Sequence, residues 1–171
     1  VKSALVPLHT WLPDAHGRAP SSISALRSGI IIQSALYALL KVCLGIGLPP
    51  SALGTVLIAI SLANMTLGNT VALAQTDTKR LLAYSSIAHA GYVLVALTTG
   101  TELGVQAALI YLFIYSLMNL GAFGVIIAMS REGDQGVEIQ DFTGIAREHP
   151  MYALAMAVFM FSLAGIPPLA G

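Results

Sequence analysis

The sequence predicts an all-α integral membrane protein, a multi-helix bundle with proline-interrupted segments near both ends. Three observations carry this. Of 171 residues, 56% are hydrophobic and only 9% are charged, against about 25% charged in an ordinary soluble domain. Mean hydropathy is +0.80. Apolar runs recur at the length of a bilayer crossing, which takes roughly 20 residues.

Four complete spans are expected at about 21–47, 52–74, 81–99 and 104–129, bracketed by partial ones at about 1–12 and 150–171. The connections GLPPS (47–51), QTDTKR (75–80) and TTGTE (98–102) are short and polar or Gly/Pro-marked, as turns between packed helices should be. The longer 130–150 connection contains VEIQDFTGIA, an amphipathic stretch suited to the membrane surface. No initiator methionine or signal-peptide pattern opens the chain, and both ends fall inside apolar segments. That is the pattern expected of a piece of one longer membrane domain.

Composition also excludes function classes. The formal net charge is zero, so no nucleic-acid partner is expected. The single cysteine, Cys43, offers neither a disulfide framework nor a metal or iron–sulfur cluster. No Gly-rich nucleotide loop is present. The expected surroundings are the lipid bilayer and other membrane proteins, with no cofactor or metal bound by this chain.

Alternating the connections between two faces collects Arg18, Lys79, Arg80, Arg131 and Arg147 on one side and no basic residue in the opposite loops. By the positive-inside rule the basic side is cytoplasmic. The first segment then runs inward and the sixth outward.

Polar residues inside spans are costly and are functional candidates by default. Lys2 stands five residues before the break at Pro7. It reads either as a proton-loading group at a hydrated break or as a lysine snorkelling to the interface. Arg27 and Lys41 are fourteen residues apart on the second segment, roughly 21 Å along a helix with an offset of about 40°. They mark either two ends of a polar track or two snorkelling ends, with the uncharged Gln33 between them. His89 is too deep to reach either surface and shares a helix face with Ser85 and Tyr92. An imidazole there either exchanges protons near neutral pH or sits neutral and hydrogen-bonded in the core. Asn119 extends a stripe with Tyr111 and Tyr115, a pattern favouring interhelical hydrogen bonds. His9 and Trp11 read as interface anchors, Pro13 follows them, and Asp14, His16 and Arg18 fall in the cytoplasmic connection, where a solvated loop is the default.

Four blocks then point to a family: K-x4-PLHTWLPDAH-x2-AP (2–20), ALAQTDTKRLLAYSSIAHAGY (72–92), YSLMNLGAF (115–123) and SLAGIPPLAG (162–171). Together they resemble the antiporter-like, proton-translocating membrane subunits of respiratory complex I, a family shared with Mrp-type cation/proton antiporters and membrane-bound hydrogenases. The opening is similar to the M-type paralogue; the later blocks look more like the N type, which block count favours. The resemblance implies inverted repeats, each with one discontinuous helix, a general transporter architecture. VPLHTWLP would belong to the first broken helix and GIPPLAG, with Pro167 and Pro168, to the second. Lys2 would match the family's lysine on the broken helix. The opening stretch is then polar because it serves a hydrated proton route.

Three departures matter. The further lysine or histidine that the family usually carries on the next helix is replaced by Ile32-Gln33, and some members have lysine where this chain has Asn119. The chain also stops at Gly171, before the ionisable residue expected beyond the second break, and does not contain the glutamate expected on an earlier helix. The resemblance implies a non-redox subunit of a proton-translocating NADH:quinone oxidoreductase. NADH, FMN, iron–sulfur clusters and quinone would then belong to partner subunits. A cation/proton antiporter or hydrogenase-coupled ion module is the second possibility, and a non-pumping scaffold the third. A bacterial plasma membrane is the expected location, with mitochondrial inner and thylakoid membranes as alternatives. If the basic side is cytoplasmic, cysteines placed at Thr78 or Gly133 are shielded from an impermeant thiol reagent added outside intact cells. Efficient labelling from outside would reverse the topology.

Overall fold

The computed structural model describes residues 2–45, 50–130 and 137–166. Its helices are α1 (Trp11–Arg18), α2 (Ser21–Leu26), α3 (Ile32–Gly45), α4 (Pro50–Ala72), α5 (Thr78–Thr98), α6 (Glu102–Met129), α7 (Ile145–Glu148) and α8 (Pro150–Leu163). A π-helical turn, Arg27–Ile31, joins α2 to α3, so that Ser21–Cys43 forms one membrane-length rod. Gly54–Ala72, Thr78–Thr98 and Glu102–Met129 are the other three helices long and apolar enough to cross a bilayer. Among the described residues there is no strand, only an isolated bridge between Asp77 and Glu138.

Local chemistry sets the ends. Asp77 caps α5, its carboxylate accepting from the Lys79 and Arg80 amides at 2.7 and 3.0 Å. Thr101 caps α6 through Gly104 N–H at 3.1 Å. Pro150 opens α8 at a position where no helical donor is lost. Gly165 (φ +76°) closes it. Its N–H donates to Ser162 O and that of Ile166 to Phe161 O, the paired closure of a Schellman end. The helix therefore stops before Pro167 and Pro168, which lie outside the described residues.

The opening segment differs from the expected partial span at 1–12. Residues 2–10 form turns, and the helix begins only at Trp11, running through what reads in sequence as a polar connection. The reason is packing: Leu12, Pro13 and His16 face inward, and α1 lies against α5. Its free C-terminal carbonyl, Ala19 O, accepts from Lys79 Nζ at 3.1 Å. Arg80 pairs with Asp14 at 2.7 Å on the surface, an interaction worth at most about 1 kcal/mol. Lys79 and His16, expected in solvated loops, are both buried.

The three basic connections meet at one end. Thr78 N–H donates to Val137 O and Ile139 N–H to Thr76 O, tying the 137–142 strap to the start of α5 beside α1. Thr78 itself is buried, so the exposed Thr76 is the better labelling position. Large apolar side chains such as Leu62, Ile110, Phe113 and Leu154 are exposed along the rods, as a lipid-facing surface requires.

The tightest seam is α4 against α5. A Cβ on Gly68 would stand 2.7 Å from Ala88 N and 2.9 Å from Tyr84 O, so only glycine lets these backbones approach. Gly68→Val is therefore expected to destabilise the full-length protein by roughly 1–3 kcal/mol or more, read as a lowered Tm in detergent; an unchanged Tm would refute the close seam.

Candidate functional site

The membrane interior of this bundle holds a polar core to which all four spans contribute. His89, near the middle of α5, is buried, and its Nδ1 lies 2.6 Å from Tyr111 Oη on α6. Tyr92 meets its ring edge-on, with centroids 5.3 Å apart, and Tyr115 lies against it at 4.6 Å. Tyr92 Oη in turn accepts from Asn69 Nδ2 on α4 at 3.2 Å. A cleft of about 490 Å³ opens beside these groups, lined by Asn69, Gln75, Ser85, His89, Tyr92 and the end of α8 at Leu163 and Ala164. The rest of its wall is apolar, formed by Ala72, Leu73, Leu81, Leu82, Ile139 and Met160, so Asn69, Gln75 and Ser85 are the polar groups the imidazole shares it with.

On the other side of Tyr115 lies a hydroxyl–amide cluster. Ser28 Oγ and Ser86 Oγ are 2.7 Å apart, and Ser86 Oγ and Tyr115 Oη also 2.7 Å. Asn119 Nδ2 donates to Ser28 Oγ at 2.5 Å and to Tyr115 Oη at 2.8 Å. Gln33 Nε2 donates to Ser28 O at 3.3 Å, which anchors the amide to the π-helical turn. That turn is what brings Ser28 inward: it inserts one extra residue per hydrogen-bonded ring, and such turns concentrate at functional sites. Two buried acceptors, Gln33 Oε1 and Asn119 Oδ1, have no hydrogen-bond partner among the described residues.

The break is held differently. Val6 N–H, freed by the non-helical opening, donates to Asn64 Oδ1 of α4 at 2.9 Å. Ala4 and Leu12 are buried on either side of it. Irregular backbone at membrane depth is tolerated where other protein satisfies it, and Asn64 does so here.

The expected site residues separate into two groups. His89, Asn119 and Gln33 share one buried region, with Tyr111 and Tyr115 between them. Lys2 and Pro7 are exposed. His9 is half-buried, and its Nδ1 has no partner among the described residues. Pro13 is buried inside α1. Lys41 is exposed near the end of α3, with Nζ 5.7 Å from the Tyr37 ring centre, as a snorkelling lysine would be. Arg27 is half-buried and faces the His16 region, so Arg27 and Lys41 do not join the central cluster. Ser86 and Ser28 are missing from the sequence reading. Ser86 stands three residues before His89 and was legible as a face-sharing partner; Ser28 was not, because a π-turn leaves no mark on a 3.6-residue pattern.

Outside the four spans, His16 is fully buried in α1. Its Nδ1 is 3.0 Å from Leu12 O. Burial, reinforced by the Arg27 and Lys79 cations, pushes its pKa down to about 4. The unfolded chain takes up that proton near pH 6.5 and the folded one does not, so the contribution to stability is full above pH 6.5 and is lost as pH falls toward 4. The loss is at most about 3 kcal/mol. Thermal melts of the full-length protein should show this fall in Tm, and His16→Gln should flatten it; equal slopes would contradict the assignment.

The fold and the polar core together define a polytopic membrane bundle with an ionisable interior. All 171 residues match the family described as NADH:quinone oxidoreductase/Mrp antiporter, transmembrane, and the chain belongs to that family. It is 45% identical over 174 aligned residues to NADH-quinone oxidoreductase subunit N of Rhodospirillum rubrum, covering 99% of this chain and 35% of that relative. It superposes on a chain of respiratory complex I from Thermus thermophilus with a TM-score of 0.83 at 40% identity, covering 99% of this chain and 36% of that one. A chain of the Mrp complex from Dietzia sp. superposes with a TM-score of 0.89 at 28% identity, covering 98% and 31%. The chain thus spans about a third of the length of these relatives. The all-α membrane fold and the family resemblance read from the sequence are both upheld.

Proposed function

We propose that this chain is part of a proton-translocating membrane subunit of a complex I-like NADH:quinone oxidoreductase in a bacterial plasma membrane. It forms one proton-conducting domain packed against other membrane subunits. The observation that carries the reading is the placement of His89: a buried imidazole near the middle of a crossing helix, bonded to Tyr111 and bordering a cleft that it shares with Asn69, Gln75 and Ser85. Imidazole is the side chain whose charge changes most readily near neutral pH. It can therefore accept a proton from the cleft and return it.

The redox steps belong to partner subunits in this reading. A lone Cys43 and the absence of a glycine-rich nucleotide loop do not suit this chain to hold FMN, NADH or an iron–sulfur cluster. Its own residues hold and move protons: His89 and Tyr111 at the centre, Lys2 at the opening break. The higher TM-score with the Mrp complex supports an antiporter module as the second reading. The greater identity to oxidoreductase relatives favours the first. Gln33 and Asn119, uncharged where the family can carry charge, leave a non-pumping scaffold as the alternative to be excluded.

In proteoliposomes containing the assembled complex, His89→Gln keeps a hydrogen-bonding side chain but removes the titrating group. Proton uptake per electron transferred should fall severalfold, with assembly retained. Lys2→Met should also lower it, while Lys2→Arg separates charge from proton exchange. Normal pumping by both His89→Gln and Lys2→Met in assembled complex would leave the scaffold reading standing.

A further inference from the structure

The cluster of Ser28, Ser86, Tyr115 and Asn119 can satisfy its contacts in only one proton arrangement. Ser86 Oγ lies 2.9 Å from Leu82 O, a carbonyl with no proton to give, so the Ser86 hydroxyl proton points there. Ser86 then has nothing to donate to Ser28 Oγ and Tyr115 Oη, and both of those hydroxyls must donate to it. With their protons committed, Ser28 and Tyr115 can only accept from the Asn119 amide, which supplies one N–H to each. This fixes the amide orientation and leaves Asn119 Oδ1 without a partner, as observed.

We infer that Asn119 holds this cluster as a proton-insulating lock between His89 and the Ser28–Gln33 side of the core. A hydroxyl wire conducts when each group accepts on one side and donates on the other. Here the two arms converge on Ser86, whose own proton faces a backbone carbonyl. A proton on His89 finds no hydrogen bond into the cluster: Nδ1 is at Tyr111 Oη, the Leu163 carbonyl is its other neighbour, and the Tyr115 hydroxyl is engaged by Ser86 and Asn119. Turning the Asn119 amide through half a revolution would present Oδ1 to Ser28 and Tyr115. Both hydroxyls would then point away from Ser86 and free it as an acceptor. That rotation removes the convergence on Ser86, so the Ser28 and Tyr115 hydroxyls are free to turn and to admit water or a neighbouring donor. Asn119 is thus a positioning residue that sets the direction of the hydroxyls without carrying the proton.

The inference rests on the proton-translocating reading, and its test does not require turnover. The complex containing the full-length chain is reconstituted into liposomes, a pH step is imposed without electron donor or acceptor, and a luminal dye follows its decay. Asn119→Asp replaces the amide N–H groups with a carboxyl oxygen that accepts from Ser28 and Tyr115, and Asn119→Ala removes both donors and vacates space for water. The proton-specific decay should quicken by about tenfold in each, the effect expected for one lost hydrogen bond, with sodium and potassium permeability at the wild-type level. If the aspartate variant does not assemble, the alanine variant decides alone. Decay at the wild-type rate, or a leak shared by all cations, overturns the lock. Absence of turnover-driven pumping in the wild type would instead overturn the proposed function.

Discussion

In the hydrocarbon interior of a bilayer, water is not available to satisfy a freed backbone amide or a buried hydroxyl, and every such group must find its partner within the protein. That requirement organises this structure. The non-helical opening is held because Asn64 accepts from Val6 N–H. The short α1 ends against Lys79, whose ammonium takes the Ala19 carbonyl. In the centre, the π-helical turn delivers Ser28 to α5 and α6, where Ser86, Tyr115 and Asn119 complete one another. Polar groups that would be liabilities singly become a three-helix seam when paired.

The same requirement separates two kinds of polar group. The hydroxyls of the Ser28 cluster saturate one another, which holds their protons in place. His89 is bonded to Tyr111 Oη through Nδ1, has the Leu163 carbonyl within hydrogen-bonding reach, and stands at the edge of a cleft. A saturated group resists a change of protonation because each bond it makes fixes a proton. A group that borders a cleft can exchange its proton there. Tyr115 belongs to both environments, with its ring against His89 and its hydroxyl in the cluster.

Much of this was legible in the sequence because lipid selects by composition. The four crossings and the family blocks follow from residue type and spacing. His89 was found because a short ionisable side chain at mid-span has nowhere else to go. What was not legible depends on tertiary contact. Helix α1 was read as a span end followed by a loop, since its polar residues conceal the inward row Leu12, Pro13, His16. Lys79 was counted as a surface charge, although the free end of α1 buries it. Ser85 was chosen over Ser86 as the neighbour in the network; Ser85 borders the cleft, whereas Ser86 faces α6. Pattern gives the face of a helix, but a π-turn shifts the register on which such patterns depend.

If the proposed function is right, protons reach His89 from the cleft and are stopped at Tyr115 in the resting protein. A cryo-electron microscopy map of the full-length chain in its complex, at a resolution that shows ordered water, tests it most directly. Water density is predicted to link His89 to the Asn69 and Gln75 side of the cleft, with none inserted among Ser28, Ser86, Tyr115 and Asn119. A dry imidazole, or a chain of waters running past Tyr115 to Gln33, would contradict it.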